Sequence, residues 1–303
     1  MERLLTGGSR DSAKRRVPLL LTALVVATGV AAGCGGRVVV DHGAATDTAV
    51  PAVVGPPGGA LVLAGGGAIG PEIMGRFLEL AGGRNAPIVL IPTANAVDGG
   101  NYDADTGLGL LRAAGARNIT VLHAATRYDA NSDEFVEAIR GAAGVWFLGG
   151  RQWRLVDAYL NTRVHEELNR LLARGGVIGG SSAGASIQAS FLIRGAKAGN
   201  HIVVDRDYQE GFGFLKDVAV DQHLLARGRQ DDLVDVIAER PHLLGIGLDE
   251  GTAIVVRGDT FEVIGASKVA VYQARLEGGE VKASYRFLEP GDRYDMRART
   301  PLD

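Results

Sequence analysis

With a single cysteine, Cys34, this 303-residue chain can form no internal disulfide and no cysteine-rich zinc site. It also lacks an excess of charge of one sign: 32 basic residues face 35 acidic ones, for a net charge of −3, and the arginines are scattered. Without a basic stripe there is no electrostatic footprint for nucleic acid. The uncharged apolar stretch near the N-terminus, residues 17–30, is shorter than the ~20 residues a spanning helix prefers. Hydrophobic residues make up 46% and charged ones 22%, an ordinary globular composition that can bury one substantial core.

That short stretch has its own meaning. Lys14-Arg15-Arg16 precedes it and Ala31-Ala32-Gly33 follows it, the pattern of a secretory signal over residues 1–33. Small residues before Cys34 resemble a bacterial lipobox, in which the cysteine is lipidated, although Ala31 stands where such boxes usually carry leucine. An ordinary cleaved signal peptide and an uncleaved anchor are the alternatives. All three export the domain, as a periplasmic, extracellular or membrane-anchored lipoprotein. Residues 34–59, rich in Gly, Ala, Val, Thr and Pro and ending in Pro56-Pro57-Gly58-Gly59, read as a tether in which Asp41 and His42 are solvated.

Glycine is abundant, with 44 residues, many paired after apolar runs where strands of an α/β fold turn into loops. Apolar strands are expected at 60–64, 87–91, 119–122, 144–148 and 177–178. Helices are expected from Pro71, over 105–114, from a cap at Ser132, and over 156–173. Further on, a strand is expected at 202–204, a helix over 231–239 stopped by Pro241, and a strand at 243–248. This alternation implies an α/β fold with a mostly parallel sheet flanked by helices. Short β-branched runs at 253–256, 261–264 and 269–272 then predict C-terminal antiparallel hairpins. The core domain spans 60–290, followed by a tail over 291–303. Gly65-Gly66-Gly67-Ala68-Ile69-Gly70 only vaguely suggests a dinucleotide site, because its G-x-G-x-x-G frame is not convincing and no acid closes the second strand.

Gly180-Ser181-Ser182-Ala183-Gly184 spells G-x-S-x-G between the strand at 177–178 and a helix. A serine on a tight strand-to-helix turn needs glycine-sized neighbours, and the helix N-terminus points backbone N–H groups at whatever Ser182 attacks. A plain glycine-rich turn is the alternative. A serine nucleophile also needs a base, and six histidines are available. His42 lies in the tether, His165 in a charged helix, His123 and His201 at strand edges, and His242 behind Pro241. His223 sits at a strand-to-loop junction among Asp221, Arg227 and Arg229. Glu250 or Asp249, closing the strand 245–248, can orient it, since the C-terminal strand ends of an α/β sheet share one crevice. Gly149-Gly150, with the N–H of Ala183, is a candidate oxyanion site.

Phe147-Leu148-Gly149-Gly150-Arg151-Gln152, the G-x-S-x-G stretch, Asp221-Gln222-His223 with Arg227-Gly228-Arg229, and residues 245–253 (GIGLDEGTA) together resemble the cyanophycinase and dipeptidase E family of serine peptidases. The resemblance implies a fold similar to class I glutamine amidotransferase domains. Those carry cysteine where Ser182 stands. It implies Ser182 as nucleophile, His223 as general base and Glu250 as orienting acid. Gln152, Asp221, Arg227 and Arg229 would form the substrate pocket, the arginines holding an aspartyl carboxylate. The substrates implied are aspartyl peptides, including the β-Asp-Arg polymer cyanophycin, and no metal or organic cofactor is needed. Cyanophycinases usually carry an acid where Arg151 stands and an arginine where Asp232 stands, so the pocket is expected to differ in detail. An α/β-hydrolase esterase, which would use the late His242, and a non-catalytic envelope-tethered binding protein are the other readings. A homodimer is compatible with the sequence.

Overall fold

The computed structural model describes residues 53–96 and 103–303. The first half of the fold runs β1 (Ala60–Ala64), α1 (Pro71–Leu80), β2 (Pro87–Ile91), α2 (Asp105–Ala113), β3 (Asn118–Val121), α3 (Asp133–Arg140), β4 (Gly144–Phe147), α4 (Gln152–Tyr159), α5 (Arg163–Ala173), β5 (Val177–Ser181) and α6 (Ala183–Ser186). The second half runs β6 (Ala189–Phe191), β7 (Leu215–Gln222), α7 (Asp232–Glu239), β8 (Leu244–Leu248), β9 (Thr252–Arg257), β10 (Thr260–Gly265), β11 (Val269–Glu277), β12 (Glu280–Leu288), β13 (Arg293–Asp295) and β14 (Thr300–Leu302).

The early strands are apolar throughout because both of their faces are covered. Leu61 and Leu63 of β1, Val89 and Ile91 of β2, and Val145 and Phe147 of β4 enter one core with Val136, Ile139, Leu155 and Leu168 from α3, α4 and α5. The intervening Val62, Ile88, Leu90 and Trp146 enter a second core with Ile73, Met74 and Phe77 of α1. A period of two with no polar face leaves a continuous hydrophobic run. Ser132 caps α3 as expected, its hydroxyl accepting from the Phe135 N–H at 3.4 Å.

Two sheets form, rather than one. The larger has nine strands in the order β14-β13-β10-β9-β1-β5-β4-β2-β3, with β1, β5, β4, β2 and β3 parallel and the rest added antiparallel. The smaller has the order β12-β11-β8-β7-β6, in which β6, β7 and β8 are parallel. Its inner face, including Val218, Val220, Ile246 and Val271, joins the first core, while Ala219 and Tyr272 face Leu233, Val236 and Ile237 of α7.

Several boundaries differ from expectation. The helix expected over 156–173 is two helices, α4 and α5, broken at Asn161, whose φ is 57°. No strand forms at 202–204, where Arg194 N–H instead donates to the Val203 carbonyl at 2.7 Å. The last residues of the expected tether pack into the domain. Val54 is buried, its N–H donates to Asp259 Oδ1 at 2.7 Å, and its carbonyl accepts from Lys216 N–H at 2.7 Å. The expected tail contributes β13 and β14, which bury Tyr294 and Met296 at the sheet edge. The expected signal segment, Cys34 and His42 lie outside the described residues.

Candidate active site

Neighbouring parallel strands end together, and that builds the site. β4, β5 and β1 are adjacent, so Gly149-Gly150, Ser182 and Gly65-Gly66-Gly67 emerge side by side from their C-terminal ends. In the second sheet, β7 and β8 are paired with Gln222 opposite Leu248, and the next residues are His223 and, two positions on, Glu250.

Ser182 occupies the turn between β5 and α6 with φ 54° and ψ −113°, a conformation uncommon outside glycine. Its N–H donates to the Ala64 carbonyl at 2.9 Å, locking the turn to the end of β1. The two flanking glycines permit this approach. A Cβ on Gly180 would lie 2.3 Å from the Gly184 carbonyl oxygen, and one on Gly184 would lie 2.3 Å from that of Phe147.

Three side chains meet in a row. Ser182 Oγ stands 2.8 Å from His223 Nε2, and His223 Nδ1 stands 2.6 Å from Glu250 Oε1. A carboxylate can only accept, so Nδ1 carries the proton and Nε2 is left to accept from the serine hydroxyl. Burial drives the His223 pKa down. The Glu250 hydrogen bond works against this, the charges of Arg227 and Arg229 add to it, and the net position is below the ordinary histidine value. The ring is therefore kept neutral, the form that can take a proton.

Asp249, the other acid weighed for this role, does something else. Its Oδ1 accepts from the N–H groups of Leu225 and Ala226 at 2.9 and 3.0 Å, and its Oδ2 from Ser267 at 2.6 Å. Burial pushes its carboxyl upward, but these hydrogen bonds prevail and hold it below the usual range. It fixes the turn that follows His223.

A cleft of about 330 Å³ opens over the serine, lined among others by Gly149, Gly150, Gln152, Asn200, Gln222 and Arg227. Among the described residues, the N–H groups of Gly149 and Gly150 donate to no protein acceptor. The Ala183 N–H, at the first position of α6, has no acceptor within that helix. Gln152 is 1% exposed, and its carboxamide has no intramolecular partner among the described residues. Arg227 is exposed at the cleft, and its guanidinium likewise has none.

Two expected pocket residues are not in the lining. Arg229 is buried, and its Nη1 donates to the Gln222 carbonyl at 3.0 Å and to Gln222 Oε1 at 2.9 Å. Asp221 is fully buried and accepts both Nε and Nη2 of Arg194 at 2.8 Å. Both residues sit behind the lining, bonded to the wall of the cleft. Arg151 is turned away as well, donating to the Ala196 carbonyl at 2.6 Å, and Asp232 bonds Arg194. His242, which an esterase order would need, offers only its carbonyl, to Arg299.

The sequence alone did not assign the Gly65-Gly66-Gly67 loop, Gln222 or Asn200 to the site. The loop touches the histidine and the residue that follows its acid: the Gly65 carbonyl accepts from His223 N–H at 3.0 Å and the Gly66 carbonyl from Gly251 N–H at 3.0 Å. A glycine run directly after a strand whose neighbour carries the serine was the available signal. Among the described residues, no group of three or more His, Cys, Asp or Glu side chains is gathered to hold a metal ion.

Fold and site together define an α/β protein with a serine, a histidine and a carboxylate in one hydrogen-bonded row at the ends of parallel strands. The model of Peptidase family S51 matches residues 61–264; the chain belongs to that family and is a serine-type peptidase. It is 30% identical over 251 residues to the cyanophycinase of Geminocystis herdmanii, covering 77% of this chain and 91% of that one. It is 33% identical over 211 residues to the cyanophycinase of a Nostoc species, covering 67% and 68%. The crystal structure of a peptidase from an acI-B1 actinobacterium is similar at a TM-score of 0.61 and 26% identity, covering 80% of this chain and 97% of that chain.

Proposed function

We propose that the protein hydrolyses aspartyl peptides through an acyl-enzyme on Ser182. The observation that carries this reading is the unbroken row from Ser182 Oγ to Glu250, at 2.8 and 2.6 Å. Ser182 attacks the scissile carbonyl while His223 Nε2 takes its proton. The oxyanion is met by the N–H groups of Ala183, Gly149 and Gly150, and Glu250 stabilises the imidazolium. His223 then gives the proton to the departing amine. A water molecule, deprotonated by the same nitrogen, releases the acid product and restores the serine.

The reading of the substrate class rests on Arg227, the unpaired cation among the described residues lining the cleft. Arg227 offers a planar guanidinium to a carboxylate, and Gln152 a buried carboxamide with no partner of its own. An acidic residue of the substrate meets both, and two relatives named cyanophycinase make β-Asp-Arg polymer the first substrate to try. Incubating the full chain with cyanophycin and with α- and β-aspartyl dipeptides, and analysing products by mass spectrometry, tests this. Release of β-Asp-Arg is expected; turnover of none of these substrates by a protein whose serine is reactive would refute the assignment. The signal segment and a lipid on Cys34 belong to the same proposal. Metabolic labelling with a palmitate analogue, lost in Cys34→Ser, is the expected result.

A further inference from the structure

A buried cation outside the steps above ties one wall of the cleft together. Arg194 is 2% exposed, with φ 55°. Its guanidinium grips Asp221 with two hydrogen bonds of 2.8 Å, bonds Asp232, and donates from Nη1 to the Asn200 carbonyl at 2.9 Å. Three segments meet there: the end of β7 that runs into Gln222 and His223, the start of α7, and the loop 195–204. Lys197 holds the same loop from the other side, pairing with Asp157 at 2.8 Å and lying 4.9 Å from the centroid of the Trp153 ring. Arg151 adds its bond to the Ala196 carbonyl.

Such anchoring fixes the main chain of Asn200, yet its side chain is left over. Asn200 lines the same cleft as Ser182, and among the described residues its carboxamide makes no intramolecular hydrogen bond. A carboxamide offers one acceptor and one donor group, the complement of a peptide link. A main chain anchored in this way loses little freedom when substrate arrives, and the exposed Asn200 carboxamide is left open to it. We propose that Asn200 is a substrate-contacting residue that sets affinity for the peptide, presented by a loop that Arg194 holds in place. The proposal rests on the reading of Ser182 as nucleophile.

Two probes separate these claims in the full-length protein. A small alkyl fluorophosphonate reports only the reactivity of Ser182, whereas a diphenyl phosphonate analogue of an aspartyl peptide also needs the cleft. Asn200→Ala is expected to react with the small probe within about twofold of wild type. With the peptide probe, its half-saturation concentration should rise roughly tenfold, the scale of one lost hydrogen bond, at an unchanged limiting rate. Asn200→Asp, which adds a negative charge near an anionic ligand, should raise it at least as far. Unchanged half-saturation in Asn200→Ala, or equal slowing with both probes, overturns the assignment. Failure of the wild type to react with the small probe overturns the reading of Ser182 and this proposal with it.

Discussion

Gly66 lies against the imidazole of His223: a Cβ built at Gly66, where φ is 109°, would stand 2.4 Å from the ring's Cε1 and 2.7 Å from Nε2. The glycine after β1 therefore sets how near the base can come to the serine on the next strand. Gly66→Ala must move either the loop or the ring. Reaction of Ser182 with a fluorophosphonate is expected to fall by at least about 10²-fold, the scale of a misplaced base. Thermal unfolding stays cooperative. A variant that labels at the wild-type rate would remove the loop from the account.

The pH dependence follows from the histidine. Burial and the nearby arginines lower the His223 pKa, and the neutral ring is the active form. Activity is therefore retained as pH falls through about 6.5 and is lost only below it, so the acid limb of kcat/KM has its midpoint under that value. Arg227 is one of the charges pressing the pKa down, so Arg227→Gln should shift the limb to higher pH as well as raise KM for a carboxylate substrate. A limb that moves to lower pH in that variant contradicts the sign.

Glu250→Gln keeps the shape but replaces a charged, acceptor-only carboxylate with a neutral carboxamide whose NH2 can face Nδ1, so the tautomer is no longer fixed and the imidazolium is no longer stabilised. A loss of roughly 10³–10⁴-fold in kcat is expected, measured on whichever aspartyl peptide the wild type cleaves.

Asp221 separates stability from binding. Removing it leaves the Arg194 guanidinium buried with only Asp232 as a carboxylate partner. Asp221→Ala is expected to cost about 3–5 kcal/mol of unfolding free energy, visible as a lowered urea midpoint. Had Asp221 contacted substrate, the main effect would be on KM with stability unchanged.

How much of this was legible in the sequence depends on what each residue needs. Ser182, His223 and the pair Asp249-Glu250 stand out because strand ends in an α/β fold converge on one crevice, while the choice of Glu250 over Asp249 rests on the family resemblance. The parallel half of the sheet was readable because both-faced burial leaves uninterrupted apolar runs such as Leu61-Val62-Leu63. In the second sheet β8 and β11 were readable, but β12 was not, because it alternates with exposed Lys282 and Arg286 and looks like loop. Nor can a sequence show that Arg229 is held by Gln222 and that Asp221 faces Arg194; both look free to meet substrate until the fold supplies their partners. Glycines 65–67 were seen, but their purpose lies in a histidine more than 150 positions away.

The central claim is that Ser182 is the residue acylated during turnover. Its most direct test is mass spectrometry of the full-length protein after reaction with a fluorophosphonate, followed by peptide mapping. One adduct per chain on the peptide carrying Ser182 is expected, absent in Ser182→Ala and formed far more slowly in His223→Ala. An adduct on another residue, or undiminished labelling of Ser182→Ala, would contradict the account.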